Sequence, residues 1–233
     1  MTHDADVLAY LKARGVSRLV HFTQSRNLPS ILADGELRDI TSMRSDPFRA
    51  FAASDDVRAD GHPDKLSFSI EYPNAYYLRD ARQRTHGYPD WVALLVQPHV
   101  AANVGALFSP YNAANAGAPR VPGRIGVEAC YGPTIRYTRV VHRAQTHDLR
   151  CPTDIQAEVL IPGPIPLSDV IGIVVESAED AHLERDRLAH LHHDPDRVRW
   201  LVSPGLFQIP QVFRAVRQGQ GIDIFDLDGG QHE

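Results

Sequence analysis

Hydrophobic and polar positions recur with several different periods along this chain, and the changes of period mark its elements. Val7, Leu8 and Leu11 fall at helical spacing and the run stops at Gly15, which predicts a helix over 6–14. A short strand over 18–22 follows. A second helix is predicted over 24–34, with Leu28, Ile31 and Leu32 on one face and Gly35 behind it. Pro29 lies in its first turn, where the missing N–H is tolerated. Residues 38–64 carry charge but little periodicity, so a long irregular connection is expected there. Strands are predicted over 65–70 and, more continuously apolar, over 91–97. Glycine, proline and asparagine recur through 109–152, which predicts irregular surface structure. The β-branched runs over 155–161 and 170–175 read as central strands. A helix over 178–192, a strand over 198–202 and a frayed tail after Phe225 complete the pattern.

Short strands and helices that do not alternate as regular βαβ units point to an α+β fold rather than a doubly wound sheet. No repeat or linker divides the chain, so one domain over 1–233 is expected, with its core over 18–202. Composition agrees, since 43% hydrophobic and 23% charged residues describe an ordinary globular protein. No run approaches the roughly 20 apolar residues that a membrane span needs. Residues 1–6 lack the basic region and apolar core of a secretion signal, and Cys130 and Cys151 are the only cysteines; a cytoplasmic protein is expected. The net charge of −5 argues against coating duplex DNA through bulk electrostatics, though not against a local groove of arginines.

Four segments could carry chemistry. In the first, His21-Phe22-Thr23 ends a strand and turns toward Asn27-Leu28-Pro29-Ser30, which can present an imidazole and nearby polar groups to a ligand. The competing reading is a histidine that caps a strand edge by bonding a carbonyl. In the second, Gln156-Ala157-Glu158, strand alternation places Gln156 and Glu158 on one face and Ile155, Ala157 and Val159 on the other. A glutamate in so apolar a run is costly unless it is paired, protonated or lining a cleft. The third, Arg58-Ala59-Asp60-Gly61, offers an arginine that could grip a pyrophosphate. The fourth, 109–115, could equally be a helix-capping turn. His182, His190, His192 and His193 lie among acids in a charged helix, without the H-E-x-x-H pattern or an apolar shell, so no metal site is expected. Cys151 has no base marked as its partner. Dinucleotide, P-loop and CxxC signatures are absent.

Taken in order, His21-Phe22-Thr23, Asn27-Leu28-Pro29-Ser30-Ile31-Leu32, Gly35, Leu37, Asn112-Ala113-Ala114, Gln156-Ala157-Glu158-Val159-Leu160 and Ile165-Pro166-Leu167 resemble the DarT family of bacterial toxins. These enzymes ADP-ribosylate bases in single-stranded DNA. The resemblance covers about residues 18–175 and implies an ADP-ribosyltransferase fold, two small facing sheets with helices around an NAD cleft. It implies Glu158 as the catalytic glutamate and Arg58 as the arginine that orients NAD and assists catalysis, with Arg49 and Arg44 as alternatives. It further implies NAD contacts from His21, Phe22, Thr23 and Asn27, with Ser30 and Leu37 at the same pocket, a DNA-facing loop within 109–154, no metal, and a DNA ADP-ribosylglycohydrolase antitoxin as partner. The strand around Phe68 lacks the Pro-Phe-Tyr-Phe and Arg-Ser-Pro segments of thymidine-modifying members, which implies guanine ahead of thymine. Two rival functions stay open: transfer to RNA or protein, and a catalytically inactive module that binds NAD or nucleic acid. An intact Glu158 speaks against the second.

Overall fold

The computed structural model describes residues 3–45, 59–84 and 90–232. Its helices are α1 (Ala5–Arg14), α2 (Leu28–Asp34), α3 (Ile40–Arg44), α4 (Ala75–Arg84), α5 (Gly123–Cys130), α6 (Ala178–His190) and α7 (Ile209–Gln218). Strands β1 (Leu19–Gln24), β2 (Glu36–Leu37), β3 (Lys65–Ile70), β4 (Trp91–Val96), β5 (Leu107–Ser109), β6 (Val121–Pro122) and β7 (Thr134–Arg136) precede β8 (Val140–His142). They are followed by β9 (Glu158–Pro162), β10 (Ile165–Pro166), β11 (Val170–Val175), β12 (Trp200–Val202), β13 (Ile224–Asp226) and β14 (Gly230–His232). The expected α+β class holds.

The main sheet runs β14-β13-β12-β11-β4-β1-β3-β9-β5-β6. It is two sheets that share β3. At its C-terminal end β3 pairs with β1, through Leu19↔Ile70 and Val20↔Ser69. At its N-terminal end it pairs with β9, from Lys65↔Pro162 to Phe68↔Val159. Because β3 leaves one partner as it joins the other, β1 and β9 splay apart and a cleft opens between them. β4 is central, buried along its whole length. Val92, Leu94 and Val96 join the core that contains α1, α2, α5 and α6 residues, while Ala93 and Leu95 join the core that contains Val212, Ala215 and Val216 of α7. Coverage of both faces explains why this strand reads as a continuous apolar run.

Several expectations need correction. The irregular surface structure expected over 109–152 holds β6, α5, β7 and β8, and the connection expected over 38–64 holds α3. The helix predicted over 24–34 is shorter, because β1 runs to Gln24 and a 3-10 turn, Ser25–Asn27, intervenes before α2. The strand predicted over 155–161 begins only at Glu158. Asp154 is the cause: its Oδ1 accepts from Gln156 N–H at 2.9 Å and its carbonyl accepts from Ala157 N–H at 3.0 Å, closing a turn over Ile155 and Gln156. Nor is the tail frayed, since β13 and β14 form a hairpin on β12 and Leu227 N–H donates to Trp200 O at 3.0 Å.

Candidate active site

The cleft is built by what β1 does after Val20. β1 pairs with β4 along its full length, but with β3 only as far as Val20. His21 bridges the gap that opens next: its Nδ1 donates to Ser67 O at 2.9 Å and its ring lies 5.3 Å from that of Phe68. The histidine therefore caps a strand edge and lines the cleft at once. Phe22 is half-buried, with ring centroids 5.8 Å from Tyr77 and 5.9 Å from Trp91. Thr23 Oγ1 accepts from Asn27 Nδ2 at 2.9 Å, which ties the end of β1 to the start of α2. That connection is also pinned from behind by α6. Ser25 Oγ donates to the buried carboxylate of Glu184 at 2.7 Å, and Arg187 Nη2 donates to Ser25 O at 2.8 Å. α2 buries Leu28 and Leu32 and turns Ser30 and Ile31 to the cleft; Gly35, at φ 70°, then reverses the chain into β2.

Glu158 approaches from the opposite wall. It is the first residue of β9 and lies across from Ser109 of β5. Its Oε2 accepts from Ala113 N–H at 3.1 Å. The 112–114 loop is itself fixed, because Asn112 Oδ1 accepts from Ala114 N–H at 2.8 Å and Arg120 Nη2 donates to Ala113 O. A charge-assisted bond from a backbone amide aims the carboxylate into the cleft. The segment that read equally well as a capping turn is thus what orients Glu158.

The cleft has a volume of about 1210 Å³, mouth included, and its walls carry His21, Phe22, Thr23, Asn27, Ser30, Leu37 and Glu158 together. Gln156, expected to share the face of Glu158, sits in the Asp154 turn and is not part of the wall. Arg58 and Arg49 lie outside the described residues. Arg44 is exposed at the end of α3 and does not line the cleft. Arg38, which sequence reasoning passed over, does line it, held by Glu36 Oε1 at 2.7 Å and Asp34 Oδ2 at 3.6 Å. Asp60, Asn74, Tyr77 and Asn112 are further wall residues. Of these, Asp60 and Asn112 lay in segments with a sequence signal, Arg58-Ala59-Asp60-Gly61 and Asn112-Ala113-Ala114.

The remaining reactive side chains are structural. Burial pushes the Cys130 thiol up to about 12 and the Cys151 thiol well above its usual value, so neither is a thiolate nucleophile near neutrality. His190 Nδ1 bonds the Asp186 carbonyl of its own helix at 2.7 Å. Among the described residues no group of three or more His, Cys, Asp or Glu could hold a metal, and no helix is long and apolar enough to cross a membrane.

A family model described as "DarT: ssDNA thymidine ADP-ribosyltransferase, DarT" matches residues 20–202. The chain belongs to the DarT family. It is therefore a member of a family of NAD-dependent ADP-ribosyltransferases that act on single-stranded DNA. Among solved structures, it is similar to Thermus sp. 2.9 DarT in complex with NAD+, with a TM-score of 0.54 at 16% identity over 82% of this chain and 98% of that one. The same Thermus protein in complex with ADP-ribosylated ssDNA matches with a TM-score of 0.54 at 18% identity, over 83% and 97% of the two chains. Thermosipho africanus DarTG in complex with ADP-ribose matches with a TM-score of 0.53 at 16% identity, over 82% of this chain and 51% of that one. At these identities the likeness establishes the ADP-ribosyltransferase fold. No curated protein matches the chain.

Proposed function

We propose that this DarT-family member is a cytoplasmic toxin that transfers ADP-ribose from NAD to a base of single-stranded DNA, guanine ahead of thymine. One observation carries the reading. Glu158 and six polar or apolar residues of the β1–α2–β2 wall, contributed by distant parts of the sequence, line one cleft. The Thermus relative is described with NAD+ and with ADP-ribosylated ssDNA, which supports the same two substrates here.

In this reading His21, Phe22, Thr23, Asn27, Ser30 and Leu37 hold NAD, and Glu158 faces the ribose. The bond between nicotinamide and ribose C1′ breaks, its electron pair leaves with nicotinamide, and C1′ acquires oxocarbenium character. A carboxylate beside it lowers the energy of that state more than that of bound NAD, which is what catalysis requires. A base nitrogen then bonds C1′, and its proton passes to Glu158. A single strand is the favoured acceptor because an unstacked base avoids the few kcal/mol of extrusion from a duplex. The described wall presents Asp34, Glu36, Asp60 and Glu158 against Arg38, so a pyrophosphate needs further positive charge. We assign that role to Arg58, with Arg49 as the alternative; Arg44, which does not line the cleft, is set aside.

The base preference rests on β3, where Leu66-Ser67-Phe68-Ser69-Ile70 stands in place of the thymidine-type strand. A DNA ADP-ribosylglycohydrolase antitoxin is the expected partner, a reading supported by the DarTG relative. Labelled NAD incubated with the protein and separate DNA, RNA and protein acceptors tests the proposal. Label should enter single-stranded DNA, and at guanine when oligonucleotides that lack one base at a time are compared. Label entering only RNA or protein would replace this reading.

A further inference from the structure

We infer that Asn74 is a substrate-binding residue whose side-chain N–H₂ donates to an uncharged carbonyl oxygen in the cleft. The inference rests on the function proposed above. Asn74 is 1% exposed, yet it forms part of the cleft wall. Its Oδ1 accepts from Tyr77 N–H at 3.2 Å, at the start of α4. A helix N-terminus presents only donors, so the amide orientation is chemically fixed: the oxygen faces the helix and Nδ2 faces the other way. That Nδ2 is buried and has no hydrogen-bond partner among the described residues.

A covered amide donor left without an acceptor is costly, and native structures seldom keep one without a reason. Asn74 cannot turn away, because the cap holds its oxygen and Ser69 Oγ accepts from its own N–H at 3.1 Å. Ser69 also fixes its place in the cleft. Phe68 pairs with Val159 in the last pair that β3 makes with β9, so Ser69 stands where β3 leaves that strand, and Ser69, Asn74 and Glu158 all belong to the wall of the one cleft. A neutral carbonyl is its best match, since two N–H bonds are offered and no charge. Both proposed substrates carry one there: the carboxamide of NAD, and the exocyclic oxygen of guanine or thymine.

Asn74→Asp and Asn74→Ser separate this role from capping, because each keeps an acceptor for Tyr77 N–H and removes the amide donor. Wild type, both variants and Glu158→Gln are compared in melting temperature, in calorimetric affinity for NAD, in anisotropy with a single-stranded oligonucleotide, and in kcat and KM for each substrate. Asn74→Ser should melt near wild type and Asn74→Asp, which buries a carboxylate oxygen, lower, while kcat/KM falls roughly 10- to 100-fold in both. A weakened NAD affinity assigns the acceptor to the carboxamide. An unchanged NAD affinity with a raised KM for the oligonucleotide assigns it to the base. Wild-type affinity and turnover for both substrates in a folded Asn74→Ser protein would overturn the proposal and leave Asn74 a cap. If the wild type itself transfers nothing, the proposed function fails, and the two binding comparisons still decide whether the donor meets a ligand.

Discussion

The most demanding residue in the fold, outside the cleft, is Glu71. It follows β3, has a positive φ of 70°, and is fully buried. Both carboxylate oxygens are engaged. Ser17 N–H and Ser17 Oγ donate at 2.9 and 2.8 Å, and Arg150 Nη1 donates at 3.0 Å, with Arg18 Nη2 at 3.8 Å. Removing the carboxylate takes the acceptors from Ser17 N–H and Ser17 Oγ, while Arg150 keeps Asp148 at 2.7 Å and Arg18 keeps the Glu71 carbonyl at 2.9 Å. Glu71→Ala should therefore cost about 1–3 kcal/mol, read as a lower midpoint in urea unfolding. A midpoint within experimental error of wild type would show that water reaches the site and replaces the carboxylate. Nothing in a one-dimensional pattern marks Glu71, because its partners lie 53 to 79 residues away in sequence. Glu158 was legible by contrast, since a carboxylate inside an apolar strand is conspicuous wherever it occurs.

At the scale of elements, the hydrophobic pattern located α1 and α6 through buried positions three or four apart, and β1, β3, β4 and β11 through short apolar runs. Their ends escaped it. Where β9 begins is decided by the side chain of Asp154, and where α2 begins by Thr23, Asn27 and the α6 residues behind them. Such boundaries depend on hydrogen bonds across the fold, which periodicity does not record. α5 was missed for another reason. Its glycines suggest a loop, but Gly126 is there because the helix lies against β6: a Cβ on it would stand 1.9 Å from Val121 O and 2.7 Å from Val121 C. Those atoms are backbone and cannot swing aside. Gly126→Ala should thus lose more by forcing α5 off β6 than it gains in helix propensity, a net cost on the order of 1–3 kcal/mol. Thermal unfolding reads it directly. A variant more stable than wild type would mean that α5 stands farther from β6 than described.

Across the whole molecule, one buried histidine couples stability to pH. His147 is 4% exposed; its Nε2 donates to Pro152 O at 2.8 Å, and its buried Nδ1 has no partner among the described residues. Burial, with Arg143 and Arg217 nearby, holds its pKa down to about 4. In the unfolded chain the value returns to about 6.5. The unfolded state thus binds the extra proton first, so stability is full above about pH 6.5 and falls as pH drops toward 4, by roughly 3 kcal/mol in all. Chemical denaturation at several pH values should show this slope in the wild type and lose it in His147→Gln. An equal slope in both would assign it to other groups.

The cleft is likewise a property of the whole molecule. His21 and Glu158 are far apart in the chain, and they share one cavity only because β3 changes partners between β1 and β9. Each wall had a local signal, the order of motifs joined them through family resemblance, and other wall residues, such as Arg38, had none. In the proposed function this shared cavity transfers ADP-ribose through Glu158. The most direct measurement is mass spectrometry of a single-stranded oligonucleotide incubated with NAD and either wild type or Glu158→Gln. Gln keeps an oxygen for Ala113 N–H, so the variant should fold and bind NAD. Wild type should give one ADP-ribose adduct and the variant a rate reduced at least ~10²-fold, the scale of losing one electrostatic catalytic group. A folded Glu158→Gln protein that modifies DNA at the wild-type rate would contradict the proposed function.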